Sequence, residues 1–190
     1  MVGNPHLPEI EPIDELDYRN AKEIAERILV LGYIYALTFD VEIQVIKEEL
    51  VFYNLNKALS DYEKKLLSKS FLSKQEKADI SWLPEAIEVL GWAIGLWTNI
   101  LFMEQCDEDR QADNIPIKQD PDGFYRKAKL ISKVEIYKMA DLMYRMHWIA
   151  KRREIGNLGT YSNDVYMERH KAINWIIGIN NNWDEIQTDT

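Results

Sequence analysis

The sequence predicts an all-α protein, a single-domain helical bundle of about six to eight helices around a central apolar helix. Apolar residues recur at spacings of three and four along most of the chain, and Ser-x-x-Glu pairs precede several of these stretches. No segment longer than a few residues alternates with the period of a strand. The chain has 190 residues, 46% of them hydrophobic, with only 8 Gly and 6 Pro, so it can bury one sizeable core and is neither disordered nor low-complexity.

Residues 1–13 contain Pro5, Pro8 and Pro12 without an apolar period and read as an extended arm, leaving 14–190 as the helical domain. From about Asp14 the spacing of Leu16, Ala21, Ile24, Ala25, Ile28, Leu31 and Ile34 predicts one amphipathic helix. Val45, Ile46, Leu50, Tyr53 and Leu59 predict a second over 41–59. Ser60 with Glu63, and Ser73 with Glu76, fit capping boxes that open two short helices. Pro84, followed by Glu85 and Glu88, suits the first turn of the central helix, over about 83–103, with Trp82, Ala86, Val89, Ala93, Trp97 and Ile100 as its stripe. The run Leu90 to Met103 is apolar but falls short of the about 20 residues that a membrane span needs. The polar stretch Gln105–Gly123 predicts a long loop, and a helix or helix pair resumes at Phe124, with Ser132 and Glu135 as a further cap, to about Glu154. After a turn at Gly156–Ser162, Ser162 or Asn163 can cap a last helix that ends near Gly178, before the segment Trp183–Thr190.

Lys and Arg number 23 against 32 Asp and Glu, a net charge of −9 that argues against phosphate-backbone binding and so against a nucleic-acid partner. A single Cys excludes a disulfide framework, and with no signal-peptide pattern it predicts a cytoplasmic protein with no membrane partner. Neither a G-x-S-x-G elbow, a phosphate loop nor a dinucleotide fingerprint is present, so no cofactor is expected. His6, His147 and His170 lack the spacings that place two metal ligands on one helical face, and no metal site is expected either. Cys106 lies among acids, which disfavour a thiolate.

The most unusual segment is Asp141 to Arg153. At about 100° per residue, Asp141, Arg145, Trp148 and Arg152 share one helical face with Tyr144 beside them. On the last helix Glu168 and Trp175 share a face, with Arg169 to its side, and Trp183 and Asp184 can anchor the C-terminal residues. These ten residues form either a structural ion-pair network or a pocket in which arginines grip an anion and a carboxylate acts as acid or base.

At the same residues the sequence resembles a bacterial family designated domain of unknown function 4272. The matching pieces are RNAKEIAER (Arg19–Arg27), WLPEAIEVLGWAIG (Trp82–Gly95), ADLMYRMHW (Ala140–Trp148), ERHKAINWIIG (Glu168–Gly178) and the final WDEIQTDT. The resemblance implies a cytoplasmic, predominantly helical single domain and no inherited activity or catalytic residue. The function expected first is therefore a non-enzymatic protein whose acidic surface engages a basic protein partner, in the manner of an inhibitor or immunity protein. The alternative is a small enzyme or ligand-binding domain with an Asp/Arg/Glu/Trp pocket between the last two helices. The sequence leaves the oligomeric state open.

Overall fold

A computed structural model describes residues 7–102, 104–152 and 163–190, and among these the secondary structure is helical with no strand. The His6 position, the predicted Gly156–Ser162 turn and the Ser162 cap lie outside the described residues, as does Arg153.

Residues 7–20 run without a long element, apart from a 3-10 turn at Ile13–Glu15, so the first helix starts later than its apolar period predicts. Its start is set by Asn20, whose side chain accepts from the Lys22 and Glu23 amides while Glu23 reaches back to the Asn20 amide. Helix α1 (Ala21–Tyr35) is buried around most of its circumference. Helix α2 (Ile43–Phe52) is shorter than the 41–59 predicted, because Asn54 takes a left-handed φ of 58° and a 3-10 turn follows. The capping boxes at Ser60 and Ser73 form as predicted and open α3 (Asp61–Leu67) and α4 (Lys74–Ile80).

Helix α5 (Leu83–Ala93) is the central helix and packs against α1 on one side and the last helix on another. Pro84 sits in its first turn. The helix stops about ten residues before the predicted end at 103. Gly95 adopts φ 73°, its N–H bonds the Trp92 carbonyl and the Leu96 N–H bonds that of Gly91, the Schellman arrangement that ends a helix on a left-handed residue. Trp97 therefore does not continue the stripe. It folds back over α5, and its indole N–H donates to the Glu88 carbonyl at 2.9 Å.

The predicted polar loop at 105–123 contains α6 (Glu108–Asn114), capped by Asp107, and the start of α7 (Asp122–Lys127). Short exposed helices of this kind carry little apolar period, so composition alone reads them as loop. Residues 129 and 131 donate to the carbonyls of Ile94 and Ala93, tying the end of α7 to the end of α5. Helix α8 (Lys133–Arg152) then packs on α9 (Asn163–Ile176), and α9 packs in turn on α5. At the start of α8 the Ser132 hydroxyl accepts the Glu135 amide and donates to the Glu135 carboxylate. The Arg19 amide bonds the Ile176 carbonyl, which joins the N-terminal segment to the end of α9.

Candidate functional site

Arg169 lies on the α9 face that meets α5 and has no exposed surface. Its Nε donates to Glu85 Oε2 at 2.8 Å, Nη1 to the Leu101 carbonyl at 2.7 Å and Nη2 to the Glu104 carbonyl at 2.9 Å. The second Glu85 oxygen accepts the Cys106 amide at 3.0 Å. One buried pair thus fixes the irregular chain that follows α5. One turn along α5, the buried Glu88 meets Arg110 at 2.5 Å, and that guanidinium lies 4.8 Å from the Trp97 ring centroid. Burial, with Glu85 and Glu88 nearby, pushes the Cys106 thiol far above its usual range, so it is held as a thiol.

A second buried pair joins α1 to α3. Arg27 Nη2 donates to both oxygens of Glu63 at 2.9 and 2.7 Å, and Glu63 also accepts the Ser60 amide at 2.7 Å. The glutamate read from sequence as a cap is therefore also a core ion pair. Trp183, in a 3-10 turn at Trp183–Glu185, packs beside it: the Arg27 guanidinium is 5.1 Å and the Lys171 ammonium 4.9 Å from its ring. Trp175 meets Trp183 edge-on at 5.6 Å, and Arg19 lies 5.1 Å from the Trp175 ring. Asp184 accepts the Tyr62 amide at 2.8 Å in the first turn of α3.

The α8 residues lie elsewhere. Arg145 Nε donates to Asp141 at 2.8 Å, with both side chains part-exposed. No hydrogen bond or ion pair among the described residues links either one to Glu168 or Arg169. Trp148 is buried, Tyr144 faces His170 at a ring separation of 5.7 Å, and the Arg152 side chain lies outside the described part. Across the α8–α9 contact, His147 Nδ1 and His170 Nδ1 are 3.1 Å apart, both rings are buried, and Asn174 holds the other His170 nitrogen at 3.1 Å. Burial holds both imidazoles below their ordinary range, His170 down to about 3 with help from His147. They are neutral at pH 7, one donating to the other.

A cavity of 330 Å³ opens where α1, α3, α4, α5, α9 and the Trp183 turn meet. Ile34, Ile80, Leu83 and Trp183 give it apolar walls, while Glu63, Asp79, Glu168 and Asp184 supply four carboxylates against the single ammonium of Lys171. Glu168 is the unsatisfied member: its Oε2 is shut off from solvent and has no hydrogen-bond partner. Burial pushes its carboxyl above the usual range, Lys171 pulls it back, and Asp164 and Glu85 push it further up. The cavity wall thus takes Glu168, Trp183 and Asp184 from the predicted set and no residue of α8. This cavity lies between α9 and helices α1, α3, α4 and α5. No group of three or more His, Cys, Asp or Glu side chains suited to a metal occurs among the described residues, and no helix there is long and apolar enough to cross a membrane.

Residues 2–186 match the profile of DUF4272, a domain of unknown function. The chain belongs to this family. No curated protein and no solved structure gives a significant match to it. In this DUF4272 domain the pieces that carry the sequence resemblance sit at packing junctions: Tyr144 and His147 at the α8–α9 contact, Glu85 and Arg169 at the α5–α9 contact, and Trp183 against Arg27. Arg27, Glu63, Glu85 and the histidine pair escape a reading by helical faces because their partners are far away in sequence. The usable signal was a charge inside an apolar run, as with Arg27 between Ile24 and Ile28 and Glu85 between Leu83 and Ile87.

Proposed function

We propose that this DUF4272 domain is a non-enzymatic binding protein that takes a basic protein partner at the cavity beside Trp183. With Glu63 already paired with Arg27, the carboxylates of Asp79, Glu168 and Asp184 against the one ammonium of Lys171 carry the reading, and Glu168 has an oxygen without a hydrogen-bond partner. An unpaired carboxylate in a partly dry site is costly, so a cation from outside gains more there than on an open surface. The net charge of −9 adds long-range attraction for a basic protein and repels acidic ones. A finite, apolar-walled cavity then selects among basic surfaces by shape.

The test is a titration of the domain with a labelled Lys- and Arg-containing peptide and with its Glu-substituted counterpart, followed by fluorescence anisotropy. The basic peptide binds, with affinity falling about tenfold or more as salt is raised from low to several Debye-length-shortening steps. Equal binding of the acidic peptide, or no binding of the basic one at low salt, would sink the reading.

A further inference from the structure

We propose that the cavity is a site for one alkylguanidinium or alkylammonium group. Its stem lies along Ile34, Ile80 and Leu83, its head sits between Glu168 and Trp183, and Lys171 is the resident cation that it displaces. The proposal rests on the domain's being a binder of a basic partner, and narrows what is recognised to a single arginine or lysine side chain.

The chemistry of the wall matches both halves of such a group. Ile34, Ile80 and Leu83 offer an aliphatic surface for a methylene stem, and the carboxylates stand around it for the charged end. A volume of 330 Å³ is at the small end of ligand pockets and exceeds what one long side chain needs. Trp183 already draws two cations, and they are held differently. Arg27 is buried and fixed on both oxygens of Glu63. Lys171 has the ring contact but no hydrogen bond or ion pair among the described residues, and an incoming cation takes over its charge beside Glu168 when it leaves. Glu168 sits three residues before Lys171 on the same helix, with Oε2 unsatisfied. Oε2 is shut off from solvent, so the cation meets the other oxygen of the carboxylate, or Oε2 after the side chain turns outward. A guanidinium is more weakly hydrated than an ammonium, stacks better on indole and presents a fork to a carboxylate, so it displaces Lys171 more readily than an alkylammonium does.

The experiment follows the assigned Trp183 indole N–H by NMR in the full chain during titration with n-butylguanidinium, n-butylammonium and the neutral n-butylurea. The expected result is a saturable shift for both cations, guanidinium the tighter, and binding of the urea weaker by about tenfold or more. Glu168→Gln weakens the guanidinium by about tenfold, whereas Lys171→Met strengthens it by removing the competitor. Equal binding of the urea, an unchanged constant in Glu168→Gln, or weaker binding in Lys171→Met would each overturn the proposal. Should Glu168→Gln not fold, the guanidinium-to-urea ratio in the unmodified protein and the sign of the Lys171→Met effect still decide it. The peptide titration separates the two ideas. A basic peptide that binds equally well to Glu168→Gln leaves the acidic partner surface standing and removes the cavity from it. Tight butylguanidinium binding without any peptide binding does the reverse.

Discussion

Glu168 and Arg169 are neighbours on α9, and the structure puts them in opposite situations. Arg169 has its guanidinium engaged by Glu85 and two carbonyls, and Glu85 in turn engages the amide of Cys106. Glu168 faces a cavity with one oxygen unsatisfied. Both are charged and both sit in the helix that covers α5, so burial alone does not distinguish structure from capacity to bind. The distinction lies in whether the protein itself completes the hydrogen bonds of the charge. Glu88 Oε2 and Arg27 Nε also have no hydrogen-bond partner, but each of those groups already holds an opposite charge, whereas Glu168 has no ion pair among the described residues and lines a cavity.

Substitution costs most at Arg169. Arg169→Met leaves Glu85 charged, buried and short of its main partner, and frees the carbonyls of Leu101 and Glu104. Unfolding in urea is expected to show a loss of about 3–5 kcal/mol, whereas Glu168→Gln at pH 7 leaves stability unchanged or raises it, since the raised carboxyl pKa marks a charge the fold disfavours. Should both variants lose the same amount, the two residues would not differ in the way the geometry implies.

Gly91→Ala tests the same sealed region through packing. A methyl at this position would stand 2.2 Å from the Trp97 ring, which cannot withdraw without giving up its bond to the Glu88 carbonyl. The expected cost is about 1–3 kcal/mol by thermal or chemical melting.

The histidine pair adds a titratable contact to the sealed set. Facing it are Tyr144 from α8 and Asn174 from α9, with Lys151 the charged group near His147. Both folded-state pKa values are depressed, so the unfolded chain takes up protons first as pH falls below the ordinary imidazole value. Stability is therefore full above about pH 6.5 and declines below it, down to about 3 for His170. The slope is about 1.4 kcal/mol per pH unit for each extra proton bound by the unfolded state. Denaturation between pH 7 and about 5.5 measures it in a Glu168→Gln background, since that carboxyl is pushed above the usual range and works with the opposite sign. The slope is expected to flatten when His170→Asn is added, and a profile identical to that of Glu168→Gln alone would contradict the buried neutral pair.

How far these features could be read from residues follows from the range of the interactions. Caps at Ser60 and Ser73, the first turn at Pro84 and the helical class depend on neighbours within four positions, and each is legible in sequence. The early stop of α5 was legible too, in Gly95, but the apolar residues beyond it mask the signal by continuing a helical period. The pairs Arg27–Glu63 and Glu85–Arg169 span 36 and 84 positions, and no local rule connects them. The cavity draws on residues from Ile34 to Asp184 and exists only once five helices have met. Helical faces did bring Glu168 forward, and Trp183 and Asp184 came forward as anchors of the final segment. They could not say which neighbours would leave Glu168 unpaired.

The smallest expected effect belongs to the residue that looked most prominent in sequence. Arg145 shares a helical face with Asp141, Trp148 and Arg152, and had it been part of a buried network its loss would match that of Arg169. Its side chain is 25% exposed and that of Asp141 36%, in an i,i+4 pair on the surface of α8. Water and salt screen such a pair, and ordering two long side chains offsets much of the attraction. Arg145→Met is therefore expected to cost about 0.3–0.5 kcal/mol, shrinking toward zero in high salt, with no change in butylguanidinium binding. A double-mutant cycle with Asp141→Ala measures the pair directly. A coupling of several kcal/mol would mean that α8 holds a second sealed network, and that the boundary between sealed pair and site is drawn in the wrong place.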